Sequence, residues 1–236
     1  MEPLLTELVE KLKKTFEERL VSVILYGSAA DGDHHRKYSD LNVLCVLARI
    51  TPVELGDSER IFHWWRQLGN PVPLLLTEME VRTSTDCFPI EFQDMKDRRR
   101  VLYGVDVIDN LEIDRSFYRA QVEHELRAKM LRLRQQAAEV LSKSDALLRL
   151  CIDSVSTFCV LGRHALLLAG IDASWHKREI VQQLGETAHI DTAPFNTLLE
   201  LREEKKTRLE IEAGALFEQY LQQVQAMVEF VDRLEK

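Results

Sequence analysis

The chemistry in this chain is concentrated in two short stretches. Leu25-Tyr26-Gly27-Ser28 is followed by eleven residues and then Asp40-Leu41-Asn42. A triphosphate requires backbone N–H donors at close range. A glycine at the end of a buried strand lets the chain turn and lets a phosphate approach the backbone. A helix N-terminus after it adds donors and a favourable dipole, and Ser28 adds a hydroxyl. Divalent cations that balance phosphate charge require converging oxygen ligands. Residues i and i+2 of a strand share a face, so Asp40 and Asn42 point one way while Leu41 and Val43 point to the apolar side. Phe88-Pro89-Ile90-Glu91-Phe92 offers a third ligand, Glu91, if it forms a neighbouring strand with Ile90 and Phe92 turned inward. On such a strand Asp94 competes for the role but lies on the opposite face.

Elements able to hold these groups are legible around them. Leu4, Leu5, Leu8, Leu12 and Phe16 recur at helical spacing, which predicts an amphipathic helix over 3–19. Val21–Tyr26 and Leu41–Leu47 read as buried strands. Residues 52–68 read as a helix with Pro52 in its first turn, stopped by Gly69-Asn70-Pro71. Leu74–Leu76 reads as a short strand, and Thr77 with Glu80 fits a capping box. Phe88–Met95 reads as a third clear strand. Val101–Tyr103 is a short apolar piece closed by Gly104. Beyond about residue 113 strand signals stop. Helices are predicted at about 115–142, 145–169, 175–187, 193–204 and 209–235, forming an antiparallel bundle around the first, second and last. The expected domains are 1–112 and 113–236, with the active cleft between them.

A strand, Gly-Ser, a spacer of about ten residues and then Asp-x-Asp/Glu is the signature of the nucleotidyltransferase superfamily. Tyr26-Gly27-Ser28-Ala29-Ala30 through Ser39-Asp40-Leu41-Asn42 resembles its polymerase-beta-like and kanamycin-nucleotidyltransferase-like bacterial members, over about residues 20–110. The resemblance implies an α/β (α+β) nucleotidyltransferase fold with a small mixed sheet, followed here by an all-α helical bundle. It implies two-metal transfer of a nucleoside monophosphate from an NTP, with ATP and Mg²⁺ or Mn²⁺ as the expected ligands. Gly27 and Ser28 would hold the β- and γ-phosphates. Asp40 would bridge the metals, and Glu91 would bind one metal and activate the incoming hydroxyl. The departure is Asn42, where the family usually has a second acid. A neutral amide weakens the metal set, with Asp31 and Asp33 as nearby acids. Two functions follow: transfer to a hydroxyl on a small molecule, RNA or protein, or a catalytically inactive nucleotide-sensing or antitoxin-like interaction protein of the same fold.

Other conspicuous residues have plainer readings. The cluster Lys96 with Arg98-Arg99-Arg100 reads as a solvated turn, with phosphate contact as the alternative. His34-His35 and Arg36-Lys37 read as exposed loop residues beside the site. Trp64 and Trp65, about 100° apart on a helix, place one ring in the core and one at the rim. Arg119 and His124 are similar in spacing to the HEPN ribonuclease motif, a spacing common by chance. Arg163 and His164 read as buried packing or interdomain contacts, and 202–206 as a solvated helix face. Cys45, Cys87, Cys151 and Cys159 form no CxxC pair and read as buried, reduced thiols. The net charge of −8 argues against broad electrostatic binding of nucleic acid. Charges inside the N-terminal apolar pattern exclude a signal peptide, and no uncharged run spans a bilayer. The expectation is a cytoplasmic protein that dimerises, if at all, through its helical half.

Overall fold

The computed structural model describes residues 1–30, 41–208 and 211–234. The chain divides into two compact units, Met1–Ser116 and Phe117–Lys236.

In the first unit the elements run α1 (Glu2–Phe16), β1 (Leu20–Tyr26), β2 (Asn42–Leu47), α2 (Pro52–Gln67), β3 (Leu74–Thr77), α3 (Glu78–Thr83), α4 (Pro89–Asp97) and β4 (Arg99–Gly104). The sheet order is β3-β2-β1-β4. β1 pairs antiparallel with β2 and β4, and β2 pairs parallel with β3, so the sheet is small and mixed. The period of two sorts side chains between two cores. Val23, Leu25, Val43, Cys45 and Leu47 pack with Leu5, Leu8, Leu12 and Phe16 of α1 and with Ile61 and Trp65 of α2. Ile24, Leu44 and Val46 turn the other way, onto Val81 of α3, Phe92 and Met95 of α4, and Ile108. Each such side chain contributes about 1.5–3 kcal/mol on burial. α2 starts at a capping box in which Thr51 accepts from Val53 N–H and Glu54 reaches back to Thr51 N–H. Glu54 is fully buried and takes Arg19 Nη1 at 2.9 Å and Arg49 Nε at 3.3 Å, tying the start of β1 to the end of β2. The capping box of Thr77 and Glu80 is formed at α3.

One element differs from its expectation. Residues 88–95, read as a strand, lie mostly in helix α4. Ile90 and Phe92 bracket Glu91 as a strand would, but Gln93 and Met95 are buried too, while Asp94 is half-buried and Lys96 and Asp97 are exposed. That is a helical stripe, and Pro89 sits in the first turn, where its missing N–H costs nothing. The strand role passes to β4, whose residues 99–104 pair with Tyr26 back to Ser22. The arginines read as a solvated turn therefore belong to, or border, a strand. Arg99 is bound by Asp106 at 2.9 Å and Asp109 at 3.1 Å, and Arg100 by Glu2 at 2.9 Å.

The second unit holds α5 (Tyr118–Val140), α6 (Ser144–Leu168), α7 (Lys177–Ala188), α8 (Ala193–Arg202) and α9 (Ala213–Arg233). α5, α6 and α9 pack on one another, and α6 also carries α7 and α8. By length and composition alone α6 could cross a membrane, and 61% of its most apolar window is buried within the structure. That burial is what a central core helix has. The second unit's core contains a polar pair, Tyr118 Oη with His164 Nδ1 at 2.6 Å. Arg163 is buried and lies 3.6 Å over the Trp175 ring. Tyr220 meets Phe158 and Phe195 edge-on and shares a hydrogen bond with Ser154.

Candidate functional site

The turn Gly27–Ala29 closes β1. Gly27 has φ +76, a left-handed conformation that costs an L side chain roughly 1–2 kcal/mol. Its N–H donates to Arg98 O at 3.0 Å, and its carbonyl accepts from Ala30 N–H at 3.0 Å. Gly27 therefore offers a phosphate its conformation and its missing Cβ, not its N–H. The next residue, Ser28, is half-buried and carries both an N–H and a hydroxyl. Asn42 opens β2 directly opposite Tyr26. Its Nδ2 lies 3.4 Å from the position a Cβ on Gly27 would occupy. The structure thus brings Gly27, Ser28 and Asn42 to one end of the β1–β2 pair. Asp40 lies outside the described residues, as do Asp31, Asp33, His34, His35, Arg36 and Lys37.

Glu91 reaches this end of the sheet from a helix and not from a strand. α4 packs against the Gly27–Ala29 turn, and Glu91 is an exposed residue of its first turn. The helix also moves Asp94. On a strand it would oppose Glu91, but at i and i+3 of a helix the two carboxylates are neighbours. The Tyr26 ring packs against the cluster containing Phe92 and Met95. Burial, and then the charges of Glu91 and Asp94, push the Tyr26 phenol up to about 12, so it stays protonated at neutral pH. Both acids therefore act on the residue that precedes Gly27 and pairs with Asn42.

Among the described residues no group of three His, Cys, Asp or Glu side chains is arranged to hold a metal ion. The donors at this end of the sheet are the carboxylates of Glu91 and Asp94 and the amide of Asn42. Their oxygens are hard ligands and suit Mg²⁺ or Mn²⁺ in kind, as would the carboxylate of Asp40.

Sequence reasoning missed the nearness of Tyr26 and Asp94, because it rested on the wrong periodicity for 88–95. The signal was present in Met95 and Gln93, which continue a helical stripe that a strand reading ignores. It also missed the capping box at Thr51 and Glu54, a T-x-x-E motif ahead of an apolar run. The other readings resolve one by one. Trp65 is fully buried and Trp64 half-buried, as the helical spacing requires. Arg119 binds Glu123, and His124 is exposed on α5. Cys45, Cys151 and Cys159 are buried, and burial pushes their thiols up to about 12. Cys87 is exposed, contrary to expectation, because it lies in the turn before α4.

Residues 5–101 match the family model of the nucleotidyltransferase domain. The matched span runs from α1 into β4 and includes the Gly27 turn and Asn42. Among solved structures the chain is similar to a spectinomycin adenyltransferase from Enterococcus faecialis, determined with ATP and spectinomycin. The TM-score is 0.59 at 13% identity, over 93% of this chain and 99% of that one, which is a likeness of fold. No curated protein sequence matches the chain at a significant level. Residues 5–101, with a mixed four-stranded sheet flanked by helices and a Gly-Ser turn at the end of its first strand, are a nucleotidyltransferase domain.

Proposed function

We propose that this protein transfers a nucleoside monophosphate from an NTP, ATP first among them, to a hydroxyl of a small-molecule acceptor. The observation that carries this reading is the meeting of Gly27, Ser28 and Asn42 at one strand end inside a matched nucleotidyltransferase domain. The likeness in fold to an adenyltransferase solved with ATP and a small-molecule ligand supports the acceptor class.

In the proposed reaction the left-handed turn at Gly27 presents Ser28 N–H and Oγ to the β- and γ-phosphates. Asp40, Asn42 and Glu91 would supply the oxygens that hold Mg²⁺ or Mn²⁺. The ion, when bound, neutralises phosphate charge and acidifies the acceptor hydroxyl. Glu91, exposed at the start of α4, takes the acceptor proton as the new O–P bond forms. The bond between the α- and β-phosphates breaks and pyrophosphate leaves. Asn42 contributes one neutral oxygen where a carboxylate would add charge, so the site binds its metals less tightly than one with an acid there.

The test is isothermal titration with ATP and GTP, with and without Mg²⁺, followed by pyrophosphate release in the presence of polyhydroxylated amines as acceptors. Metal-dependent binding that disappears in Asp40→Ala, together with acceptor-dependent pyrophosphate release, is the expected result. A folded protein that binds neither nucleotide refutes the reading. Asn42 favours a second reading, an NTP sensor without turnover. It predicts the same binding but no pyrophosphate with any acceptor, before or after Asn42→Asp.

A further inference from the structure

α4 begins with an aromatic side chain that the core does not use. Phe88 is the N-cap of the helix and is 48% exposed, while Pro89, Ile90, Phe92, Gln93 and Met95 behind it are buried. Among the described residues of the first unit every other aromatic side chain is buried or half-buried. The backbone holds Phe88 from both sides. Its N–H donates to Ser84 O at 3.0 Å, and its carbonyl accepts from Phe92 N–H at 3.1 Å. The ring is therefore presented to solvent by a fixed turn. Glu91 is the next exposed side chain along the chain, and positions three apart are neighbours on a helix surface. The opposite end of α4 is pinned to the Gly27 turn, because Arg98 O accepts from Gly27 N–H at 3.0 Å. Along the helix Phe88 thus marks the end directed away from that turn, with Glu91 between the two.

We infer that Phe88 is a specificity-determining residue of the transfer reaction, whose ring face receives the protonated amine of a polyhydroxylated acceptor beside Glu91. The inference rests on the proposed transfer and deepens it by naming the charge the acceptor carries. The face of an aromatic ring is negative and attracts an ammonium group. Glu91 beside it, and Asp86 two residues before it, keep the surroundings of the ring acidic, which favours a cation further. An acceptor that brings a hydroxyl to Glu91 has its body on the side away from the phosphates, which is the Phe88 end of α4. A neutral acceptor of the same shape gains little from the ring, so Phe88 selects amines over their uncharged counterparts.

The experiment measures pyrophosphate release by the full chain with ATP and Mg²⁺, using streptamine and glucosamine as charged acceptors and N-acetylglucosamine as a neutral one. Phe88→Leu keeps an apolar side chain and removes the π face, and Phe88→Trp enlarges that face. Met79→Ala, at a residue 69% exposed on α3, is the control for a change at an exposed apolar side chain. All three positions of change are exposed, and thermal melts confirm that each variant folds. Phe88→Leu is expected to raise the KM of the amine acceptors about fivefold, while the KM of ATP is kept and Phe88→Trp matches or improves on the parent. The preference for glucosamine over N-acetylglucosamine should shrink by the same factor in Phe88→Leu. If the amine KM values stay at the parent's in Phe88→Leu, or rise as much in Met79→Ala, the role of Phe88 is refuted and the proposed transfer stands. If Phe88→Leu raises the KM of ATP instead, the ring serves the nucleotide and the inference is refuted. A Phe88→Trp protein as weak as Phe88→Leu refutes the cation–ring contact. If the parent binds ATP with Mg²⁺ but transfers to none of the three acceptors, the acceptor class falls, and this inference with it, while nucleotide binding stands.

Discussion

Replacing Gly27 by alanine separates the conformational role of this residue from any role of its N–H. The N–H is already committed to Arg98, so alanine removes no donor. A Cβ would stand 3.4 Å from Asn42 Nδ2, a contact tight enough to touch but not to clash. What remains is the φ of +76, worth roughly 1–2 kcal/mol of strain for an L residue. That strain has two outlets. If the turn keeps its shape, the first unit loses the full 1–2 kcal/mol, and its melting temperature falls by roughly 4–8 °C per kcal/mol. If the turn relaxes, stability is spared, but ATP must restore the turn on binding, and affinity falls about 5–30-fold for the same energy. Thermal melts followed by tryptophan fluorescence, paired with ATP titrations, read both outlets. Gly104→Ala is the comparator. It has the same φ, but its Cβ would come within 2.0 Å of Val21 O, so overpacking adds about 1–3 kcal/mol and its melt must fall further. A Gly27→Ala protein that melts and binds ATP like the parent would refute the requirement for a left-handed turn.

Further outcomes are expected elsewhere in the molecule. Asn42→Asp is expected to raise Mg²⁺ affinity and pyrophosphate release several-fold, and unchanged values in a folded variant would remove position 42 from the metal set. Glu54 is held down to about 2 by the Thr51 hydroxyl first and then by Arg19. Its contribution is therefore complete above its unfolded value of about 4.3 and is lost as pH falls from there through about 2. Urea unfolding across that range should show the stability gap between the parent and Glu54→Gln closing with acid, and a pH-independent gap would contradict the linkage. Tyr118→Phe removes the hydroxyl that bonds the buried His164 Nδ1 and is expected to cost the second unit about 1–3 kcal/mol in urea unfolding. Thiol labelling of the native protein is expected to modify Cys87 quickly and the other cysteines only after unfolding. Rapid labelling that persists in Cys87→Ser would contradict their burial.

The sequence by itself determined the strand–turn–strand at the centre of the site. Val21 to Tyr26 and Leu41 to Leu47 are apolar on both faces, which only a central strand covered on both sides satisfies, and Gly27 is the residue a left-handed turn demands. The helical second half was legible for the same kind of reason, since its apolar stripes are long enough to count several turns. The placement of Glu91 and Asp94 was decided only in the tertiary structure. Over the three residues Ile90-Glu91-Phe92 the periods of a strand and a helix cannot be told apart. What separates them is whether Met95, three residues beyond Phe92, finds a surface to be buried against, and that surface is the Ile24, Leu44 and Val46 face of the sheet. Once α4 docks there, the basic run after it is drawn in as the edge strand β4. Glu91 then keeps its place near the Gly27 turn, and Asp94 rotates from the far face to stand beside it. Local spacing sets which residues can share an element. Which element they form, when the run is this short, is set by what they pack against.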